Sequence, residues 1–304
     1  MILCCGEALI DMLPRETAEG APAFAPHAGG AVFNTAIALG RLGAETAFFS
    51  GISTDFFGDM LKESLAASNV ETSTVAFSDR PTTLAFVRLA QGQASYAFYD
   101  EGTAGRYLSV EDLPLTSANA LFFGGISLAT DPCGAAYEAL MLREASRAVT
   151  MIDPNIRPGF ISDEAAYRAR IGRMIEAADI VKVSDEDLRW LEGNGTLPDL
   201  ARSLLKKGPR LVAVTQGADG VAGYTSNHDV WVEATKVDVV DTVGAGDTFN
   251  AGLLASLDRS GLLNDDALHS LSEDQIGEAL TLGSRAAAVT VSRAGANPPW
   301  AKEL

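Results

Sequence analysis

The sequence predicts a doubly wound α/β fold, in which helices cover both faces of a mostly parallel central sheet. Two observations lead to this prediction. Short apolar runs rich in β-branched and aromatic residues recur along the chain, and amphipathic helical patterns separate them. The chain has 304 residues, of which 47% are hydrophobic, so a large buried core is expected. Ligands of such folds bind beyond the carboxyl ends of the strands, where we expect the functional residues.

Strands are predicted where short apolar runs are bounded by turn residues. These runs are 2–11, 46–52, 119–125, 149–153, 179–184 and 210–215. Helices are predicted where apolar residues recur with a period of about 3.6. These segments are 33–42, 57–68, 133–147, 164–178, 198–207, 245–258 and 274–291.

Two regions depart from this alternation. Residues 12–27 contain three prolines and no helical period, and residues 82–100 alternate apolar and polar side chains around a turn at 90–92. The second region is typical of a half-exposed, two-stranded hairpin. We expect both regions to form a small β lid over the strand ends; a plain surface hairpin is the alternative. The predicted division is an α/β domain of residues 1–11, 28–80 and 105–304 and a lid of residues 12–27 and 81–104.

Composition and charge exclude several classes of function. The formal net charge of −17 argues against binding to nucleic acid or to an anionic membrane surface. No apolar run approaches the roughly 18–20 residues of a membrane span. The N-terminal segment lacks a basic leader and contains Glu7, so we expect a buried strand there and not a signal peptide. The cysteines, which lack metal-binding spacing, are expected to be reduced thiols of a cytoplasmic protein.

The most informative segment is Asp241-Thr-Val-Gly-Ala-Gly-Asp-Thr-Phe-Asn-Ala-Gly-Leu-Leu254, where glycine turns lead into an apolar helix. A helix N-terminus directs unpaired N–H groups and a positive dipole end outward, which favours an anion. We expect the N–H groups of Gly244, Ala245 and Gly246 to form an anion hole for a phosphoryl group. Asp247 is expected to be the general base that activates a hydroxyl group. A helix-capping aspartate is the alternative.

A second glycine pair, Gly29 and Gly30, precedes a predicted helix. It is not a Walker loop, because Gly-Lys-Ser/Thr is missing, and it lacks the third glycine of a dinucleotide fingerprint. Its glycines would let a ligand approach the backbone closely. Asn34 is a short donor and acceptor suited to vicinal hydroxyls, and Asp11 could accept hydrogen bonds from other sugar hydroxyls. Turn and capping chemistry is the alternative for each residue alone.

These motifs resemble a known family. The run Gly29-Gly-Ala-Val-Phe-Asn-Thr-Ala-Ile-Ala-Leu-Gly-Arg-Leu-Gly43, followed by residues 49–58, resembles the N-terminal signature of the PfkB (ribokinase-like) sugar kinases. Segment 241–254 is similar to their C-terminal signature, and the resemblance spans nearly the whole chain. Segments 6–11, 83–87 and 153–157 most resemble bacterial fructokinases. The resemblance implies a doubly wound α/β domain with a β lid, ATP as phosphoryl donor and Mg²⁺ as helper.

The resemblance also implies roles for individual residues. It implies that Asp247 is the base, and that the sugar-binding positions are Asp11, Gly29, Gly30 and Asn34. It implies a nucleotide-binding turn that contains Thr215, Gly217 and Gly220, and an approach to adenine near Asn297. Asp241 would lie near the loop that binds a monovalent cation such as K⁺ in some members.

One position departs from the family pattern. Members often have Asn-x-x-Glu, tied to magnesium and phosphate, where this chain has Ser184-Asp-Glu-Asp187. The Asp187 side chain is one methylene shorter, but magnesium keeps several waters, so a water-bridged role remains open. A helix start capped by Ser184, with acids that complement the helix dipole, is the alternative.

Two cationic side chains are further candidates. Arg157 follows the strand at 149–153, because Pro154 prevents an immediate helix, and is expected to hold phosphate beside the sugar. A surface salt bridge is the alternative. Lys182 lies within a predicted strand between two valines and is expected to point towards the nucleotide phosphates. Alternatively it extends along apolar surface towards solvent.

The inner end of the lid predicts the class of sugar. Relatives that act on 2-keto-3-deoxygluconate tend to have basic residues near this point, whereas this chain has Asp100 and Glu101. Two acids would repel a substrate carboxylate, so we expect a neutral ketohexose, with fructose first, and Phe98 and Tyr99 packed on its apolar edge. Alternatives are a family kinase for 2-keto-3-deoxygluconate, another sugar or a nucleoside, or an inactive sugar-binding protein. The apolar face and free edges of the lid predict a homodimer.

Overall fold

The computed structural model describes residues 1–90 and 93–304; between residues 88 and 96 it describes no side chains. Residues 91 and 92, predicted as part of the hairpin turn, lie outside the described residues. The described strands are β1 (Ile2–Cys5), β2 (Leu9–Glu16), β3 (Pro22–Gly29), β4 (Thr46–Phe49), β5 (Gly51–Ser53), β6 (Val70–Glu71), β7 (Ala76–Ser78), β8 (Leu84–Ala90), β9 (Gln93–Tyr99), β10 (Ala120–Gly124), β11 (Val149–Asp153), β12 (Ile180–Ser184), β13 (Leu211–Thr215), β14 (Gly220–Tyr224) and β15 (Asp229–Glu233).

The helices follow the amphipathic segments of the sequence. They are α1 (Ala31–Arg41), α2 (Phe56–Ala67), α3 (Cys133–Glu144), α4 (Glu164–Glu176), α5 (Asp185–Glu192), α6 (Leu197–Leu205), α7 (Ala245–Arg259), α8 (Asp265–His269) and α9 (Glu273–Val291). Every predicted helix forms, with its ends shifted by up to three residues. The short helix α8 was not predicted, and α5 corresponds to the alternative in which Ser184 caps a helix start. No helix in the described part of the chain is long and apolar enough to cross a membrane.

The central sheet has nine strands in the order β15-β14-β13-β12-β11-β10-β1-β4-β6. From β13 to β6 all neighbours are parallel, and β14 and β15 add an antiparallel edge. Its two faces belong to separate apolar clusters: Ile2 and Cys4 of β1 join one, and Leu3 and Cys5 join the other. Helices α1, α7 and α9 cover the first face, and α3, α4 and α6 cover the second. The predicted fold class is therefore confirmed.

A smaller sheet contains four strands in the order β3-β2-β8-β9. It brings the proline-rich region 12–27 together with the predicted hairpin, as the lid hypothesis requires. Asp11 of β2 lies beside Ala85 of β8, which in turn lies opposite Phe98 of β9, so Asp11 and Phe98 share one face. The prediction that Tyr99 packs on the sugar together with Phe98 is wrong, because successive strand residues point to opposite faces and Tyr99 lies on the other face, against Phe86. The boundaries assigned to the two predicted domains stay a prediction.

Two predicted strands are wrong as single elements. The segment 2–11 divides after Cys5, because Gly6 passes so close to α1 that an added Cβ would lie 2.4 Å from Val32 Cγ2. The chain then leaves the central sheet and enters the lid as β2. The segment 46–52 divides at Ser50, and Gly51 passes the carbonyl oxygen of Ala104, which would lie 2.2 Å from an added Cβ. Neither close approach can be recognised from apolar character alone.

The edge hairpin β14–β15 was not predicted. The sequence Asp229-Val-Trp-Val-Glu233 has three apolar residues in a row between two acids, so it lacks the polar–apolar alternation of a half-exposed strand. In the structure exposed and partly buried side chains do alternate in β15, because Trp231 lies on the exposed face. An exposed tryptophan concealed the strand period in the sequence.

Candidate active site

Two helix N-termini meet at the carboxyl ends of the central strands. Asp247 lies in the first turn of α7, and its Oδ2 accepts a hydrogen bond of 2.9 Å from Asn34 Nδ2 in the first turn of α1. Thr35 Oγ1 donates a second bond of 3.1 Å, to the backbone oxygen of Asp247. The two glycine-flanked segments, recognised separately in the sequence, thus lie against each other.

Asp247 does not cap its own helix. The N-cap of α7 is Gly244, which has a left-handed backbone with φ of 78°, and an added Cβ there would lie 2.7 Å from Ala296 Cβ. The N–H group of Ala245 donates to the Thr242 carbonyl at 3.4 Å, which is a long bond. An added Cβ at Gly246 would lie 3.2 Å from Lys182 Nζ, so the predicted anion hole adjoins a cation.

The Asp247 carboxyl group has a pKa suited to proton transfer. Its side chain is 8% exposed, and burial raises its pKa to about 7. The hydrogen bond from Asn34 opposes this rise, as does the charge of Lys182, while the charges of Asp153 and Glu7 reinforce it. A general base works best when its pKa lies near the working pH.

A buried ionic network connects α7 to the sheet. Asp153, the last residue of β11, accepts bonds of 2.9 Å from Lys182 Nζ and 2.7 Å from Asn250 Nδ2. Lys182 is 5% exposed, so it does not extend to the solvent. Asn250 lies one turn after Asp247, and its Oδ1 has no hydrogen-bond partner among the described residues. Asp153 and Asn250 had no assigned role in the sequence interpretation.

Asp187 lies beside this network in the first turn of α5. Ser184 caps that helix by accepting a 3.0 Å bond from the Asp187 N–H group. Burial first, and then the negative charge of Asp153, raises the pKa of Asp187 to about 6, whereas Lys182 and Arg157 lower it. Two carboxylates and a lysine therefore share one electrostatic environment at the ends of β11 and β12.

The donor set here fits a magnesium ion that is shared with phosphates. The described residues contain no group of three or more His, Cys, Asp or Glu side chains able to hold a metal. Mg²⁺ usually takes only one or two protein carboxylates, and waters and substrate phosphates supply the rest. Asp187, with Asp153 nearby, meets that modest requirement.

The predicted sugar-binding residues surround the start of α1. An added Cβ at Gly29 would lie 2.3 Å from Asp11 Oδ2, so the glycine makes room for this carboxylate. Burial raises the pKa of Asp11 to about 6. Gly30 is the N-cap of α1, with φ of 112°, and an added Cβ would lie 2.9 Å from the Glu7 carbonyl oxygen.

Glu7 is a buried acid whose role the sequence did not predict. Its Oε1 accepts a 3.0 Å bond from the Ala31 N–H group, and its Oε2 accepts a 3.3 Å bond from the Ser127 N–H group. It therefore joins the start of α1 to the turn after β10. Burial raises the pKa of Glu7. An acid inside an apolar N-terminal segment was the signal in the sequence that could have identified it.

A depression lies at the ends of the lid strands β2, β8 and β9; we call it the lid pocket. It is lined by Glu7, Ala8, Thr83, Asp100, Gly105, Arg106, Ile126, Ser127, Thr130, Cys133 and Phe160. Phe98 packs edge-on against Phe160, with 4.1 Å between ring centroids. Glu7, which lines the pocket, accepts a bond from Ala31 at the start of α1, and Asn34 in the same turn of α1 binds Asp247. The first turn of α1 therefore connects the pocket to this carboxylate.

The electrostatic argument from the lid acids needs a correction. Asp100 Oδ2 accepts a 2.8 Å hydrogen bond from Arg106 Nη1, so its charge is paired. Glu101 is exposed and is not among the residues that line the lid pocket. The sequence interpretation overlooked Arg106, which supplies a cation that the argument for two repelling acids had not included.

Three residues predicted to bind phosphate or nucleotide lie on separate loops and strand ends. Arg157 is exposed, and its Nη1 donates to the adjacent Ile156 carbonyl at 3.0 Å. The described residues provide no ion pair for it, so the salt-bridge alternative is not seen there. Thr215 ends β13, and its hydroxyl donates to the Val183 carbonyl at 3.4 Å. Gly217 is an exposed turn residue with φ of 56°.

Three further residues have structural partners. An added Cβ at Gly220 would lie 2.3 Å from the Val232 carbonyl oxygen, so the packing of β15 requires this glycine without any ligand. Asn297 Oδ1 accepts a 2.8 Å bond from Arg41 Nη1. Asp241 accepts bonds of 3.0 and 2.9 Å from the N–H groups of Val243 and Gly295, which ties the two loops around the start of α7 together.

Comparison with known proteins agrees with this geometry. A model of the pfkB family of carbohydrate kinases matches residues 1–303. A fructokinase of Rhizobium leguminosarum bv. trifolii is 57% identical over 278 residues, which are 91% of this chain and 85% of that protein.

Solved structures are similar over almost the whole chain. A fructokinase with bound ATP from Xylella fastidiosa has a TM-score of 0.88 and 30% identity, covering 97% of this chain and 93% of the other. A fructokinase from Vibrio cholerae O395, in its fructose, ADP and calcium ion bound form, has a TM-score of 0.85 and 27% identity. That match covers 97% of this chain and 94% of the other.

Proposed function

Because the chain belongs to the pfkB family of carbohydrate kinases, we propose that it transfers the γ-phosphoryl group of ATP to a hydroxyl group of fructose. The observation that supports this most directly is the buried Asp247 carboxylate in the first turn of α7, which accepts a hydrogen bond from Asn34 and lies where a helix N-terminus favours an anion. The similarity to a fructokinase at 57% identity supports fructose as the acceptor. The Vibrio cholerae neighbour, which contains fructose and ADP, supports the same acceptor.

The reaction needs a base and charge stabilisation. Asp247, in its ionised form, takes the proton of the hydroxyl group while the oxygen attacks the γ-phosphorus and ADP leaves. The N–H groups of Gly244, Ala245 and Gly246 face the developing negative charge. Because they are held in place by α7 before the reaction, little reorganisation is required.

The sugar would lie between the lid sheet and the start of α1. Asp11 and Asn34 bind its hydroxyl groups, and Gly29 leaves the space that the Asp11 carboxylate occupies beside the sugar. Phe98, supported by Phe160, covers its apolar edge from the lid. Such closure excludes water, which would otherwise compete as the phosphoryl acceptor.

ATP would extend from this point over the ends of β12 and β13. We propose that Lys182 and Arg157 offset phosphate charge, and that Thr215, Gly217, Gly220 and Asn297 line the nucleotide path. Asp187 would hold a divalent cation through water, and we propose that this cation is Mg²⁺. When bound, this ion would neutralise part of the phosphate charge. The loop tied by Asp241 is our candidate for a K⁺ site.

The direct test removes the base. Asp247→Asn keeps the size of the side chain, and its Oδ1 can still accept from Asn34, but it cannot take a proton. We expect kcat with fructose and ATP to fall at least about 100-fold in a coupled ADP assay. A fall of less than about tenfold, with the variant folded, would contradict the assigned role.

A second candidate is a kinase for an acidic sugar such as 2-keto-3-deoxygluconate. The observation that favours it is Arg106, a cation in the wall of the lid pocket. A panel of fructose, 2-keto-3-deoxygluconate and a nucleoside, assayed on the wild type, separates the candidates. Preference for the sugar acid over fructose by kcat/KM would replace the first proposal with the second.

We further propose that two copies pair through their lids. Phe24, Phe86 and Tyr99 form an aromatic cluster on the lid sheet, with ring centroids 5.0 and 5.5 Å apart. Phe24 is 46% exposed and Tyr99 is 64% exposed, although both are large aromatic side chains. Exposed apolar clusters of this kind commonly become covered in a partner interface.

The cysteines bear on where the enzyme works. Cys4, Cys5 and Cys133 are all free and buried. Free thiols persist where glutathione and thioredoxin keep them reduced, and ATP is available in the same compartment. We therefore propose that this kinase acts in the cytoplasm.

A further inference from the structure

An ion pair between Asp100 and Arg106 lies in the wall of the lid pocket. The Oδ2 of Asp100 is 2.8 Å from Nη1 of Arg106. The two side chains are 24% and 32% exposed, so both remain accessible from the pocket. Among the lining residues, all within the described part of the chain, Arg106 is the only cation, and Asp100 and Glu7 are the anions.

The loop that bears this pair is held by its own hydrogen bonds. Thr103 Oγ1 donates a 2.9 Å bond to the Asp100 carbonyl, and the Arg106 N–H group donates to Thr103 Oγ1 at 3.4 Å. The Arg106 carbonyl in turn accepts from the Cys133 N–H group at 3.3 Å. Because these bonds hold the backbone at Asp100 and at Arg106, the loop keeps the two residues at a separation that permits their ion pair.

We propose that Asp100 makes the lid pocket selective for neutral sugars by keeping Arg106 engaged, an inference that rests on the proposed function. An unengaged guanidinium would offer a sugar carboxylate the planar, two-bond geometry that arginine prefers. Asp100 occupies one of these donors and also places a negative charge where that carboxylate would bind. A neutral ketose does not experience this repulsion, so the pair discriminates without weakening the preferred substrate.

The test compares two sugars on matched variants. Asp100→Asn removes the charge and keeps the shape of the side chain. We expect the ratio of kcat/KM for 2-keto-3-deoxygluconate to kcat/KM for fructose to rise at least about tenfold. Glu101→Gln is the control, because it changes the net charge equally at the next residue, which is exposed and outside the pocket lining. Its ratio should stay within about twofold of the wild type.

Two further variants separate selectivity from folding. Asp100→Glu retains the carboxylate, so the ratio of kcat/KM for the two sugars should stay at the wild-type value. Adding Arg106→Gln to Asp100→Asn removes the guanidinium, so the rise in this ratio should disappear. If Asp100→Asn does not fold, Asp100→Ser removes the same charge, and the ratio of kcat/KM for the two sugars is measured on that variant instead. An unchanged ratio in the charge-removing variants, with fructose still phosphorylated, would overturn the inference and leave the proposed function standing. A wild type that does not phosphorylate fructose would instead refute the proposed function.

Discussion

Asp247 combines two properties that usually oppose each other: it is almost fully buried, and it must ionise to accept a proton. Burial favours the neutral acid, whereas the amide of Asn34 and the charge of Lys182 favour the carboxylate. The balance leaves the pKa at about 7. At the scale of single residues, the activity of the proposed kinase should therefore fall when this group is protonated, at a higher pH than Asp11 and Asp187, whose pKa values are about 6.

The first residue-scale prediction concerns the pH profile. The base must be ionised, so kcat/KM for fructose should fall as the pH drops below about 7 and level off above about 8. Asn34→Ala removes the bond that stabilises the carboxylate, so the acidic limb should move to higher pH. Thr35→Val is the control, because Thr35 bonds to the backbone oxygen of Asp247 and not to its carboxylate. An acidic limb of the kcat/KM profile at the same pH in the wild type and both variants would contradict the prediction.

The second residue-scale prediction concerns stability. The folded pKa of Asp247 lies above the unfolded value, so between about pH 4 and 7 the folded state retains a proton that the unfolded chain has lost, and the free energy of unfolding of the wild type falls as the pH rises through this range. Asp247→Asn removes this cost. The variant should gain free energy of unfolding relative to the wild type, and the gain should be about 2–3 kcal/mol larger at pH 8 than at pH 5.

Urea unfolding of both proteins at the two pH values measures this difference. Other titrating groups are common to both proteins, so their effects largely cancel. A gain that is the same at pH 5 and pH 8 would show that Asp247 titrates alike in the folded and unfolded chains. Greater stability with lost activity is the usual relation at a catalytic carboxylate.

At the scale of elements, the position of Asp247 depends on how closely α7 packs against α9. An added Cβ at Gly252 of α7 would lie 2.6 Å from Gly283 Cα, so the two backbones touch where both residues are glycine. Any side chain there would push the helices apart. Because Asp247 lies just over one turn before Gly252 on α7, such a shift would also move the base.

The element-scale prediction uses this contact. Gly252→Ala should lower the free energy of unfolding by about 1–3 kcal/mol, since an extra carbon must be accommodated between packed backbones. It should also lower kcat, although residue 252 does not contact the site. Gly277→Ala on α9 is the control: its added Cβ would meet only Val230, at 3.8 Å. That variant should be neutral or up to about 1 kcal/mol more stable, because alanine favours helix. Equal effects at both glycines, measured by urea unfolding, would contradict the close-packing argument.

At the scale of the whole molecule, the two faces of the lid sheet carry different residues. Asp11 and Phe98, the proposed sugar contacts, lie on one face, and the aromatic cluster of Phe24, Phe86 and Tyr99 lies on the other. If the cluster is the dimer contact, assembly holds the lid sheets in place beside both sugar sites. Oligomeric state and sugar affinity should then change together.

The whole-molecule prediction is that Phe24→Asp converts a dimer into a monomer. A charge placed in an apolar contact loses hydration without gaining a partner, so association should weaken by at least about 100-fold. Analytical ultracentrifugation at micromolar concentration measures it, together with KM for fructose. Leu115→Asp is the control, because Leu115 is exposed in the loop before β10, away from the lid sheet. A wild type that sediments as a monomer would refute the dimer outright.

The sequence by itself determined the fold class, the helices, the family and the carboxylate at the start of α7. These features are local: apolar periods, glycine turns and helix starts are encoded within a dozen neighbouring residues. The predicted family and fold are confirmed. The assigned roles of individual site residues stay predictions, which the variants above test.

Only the tertiary structure decided which of these residues meet. Asn34 and Asp247 are 213 positions apart, and their contact depends on the order of strands in the sheet. The same holds for Glu7 with Ser127, for Lys182 with Asp153, and for the division of the first strand at Gly6. Arg106 and Asp100 are close in the chain, yet only the folded loop turns them towards each other. A local pattern specifies an element, whereas burial, pairing and pKa arise from neighbours that folding brings from elsewhere in the chain.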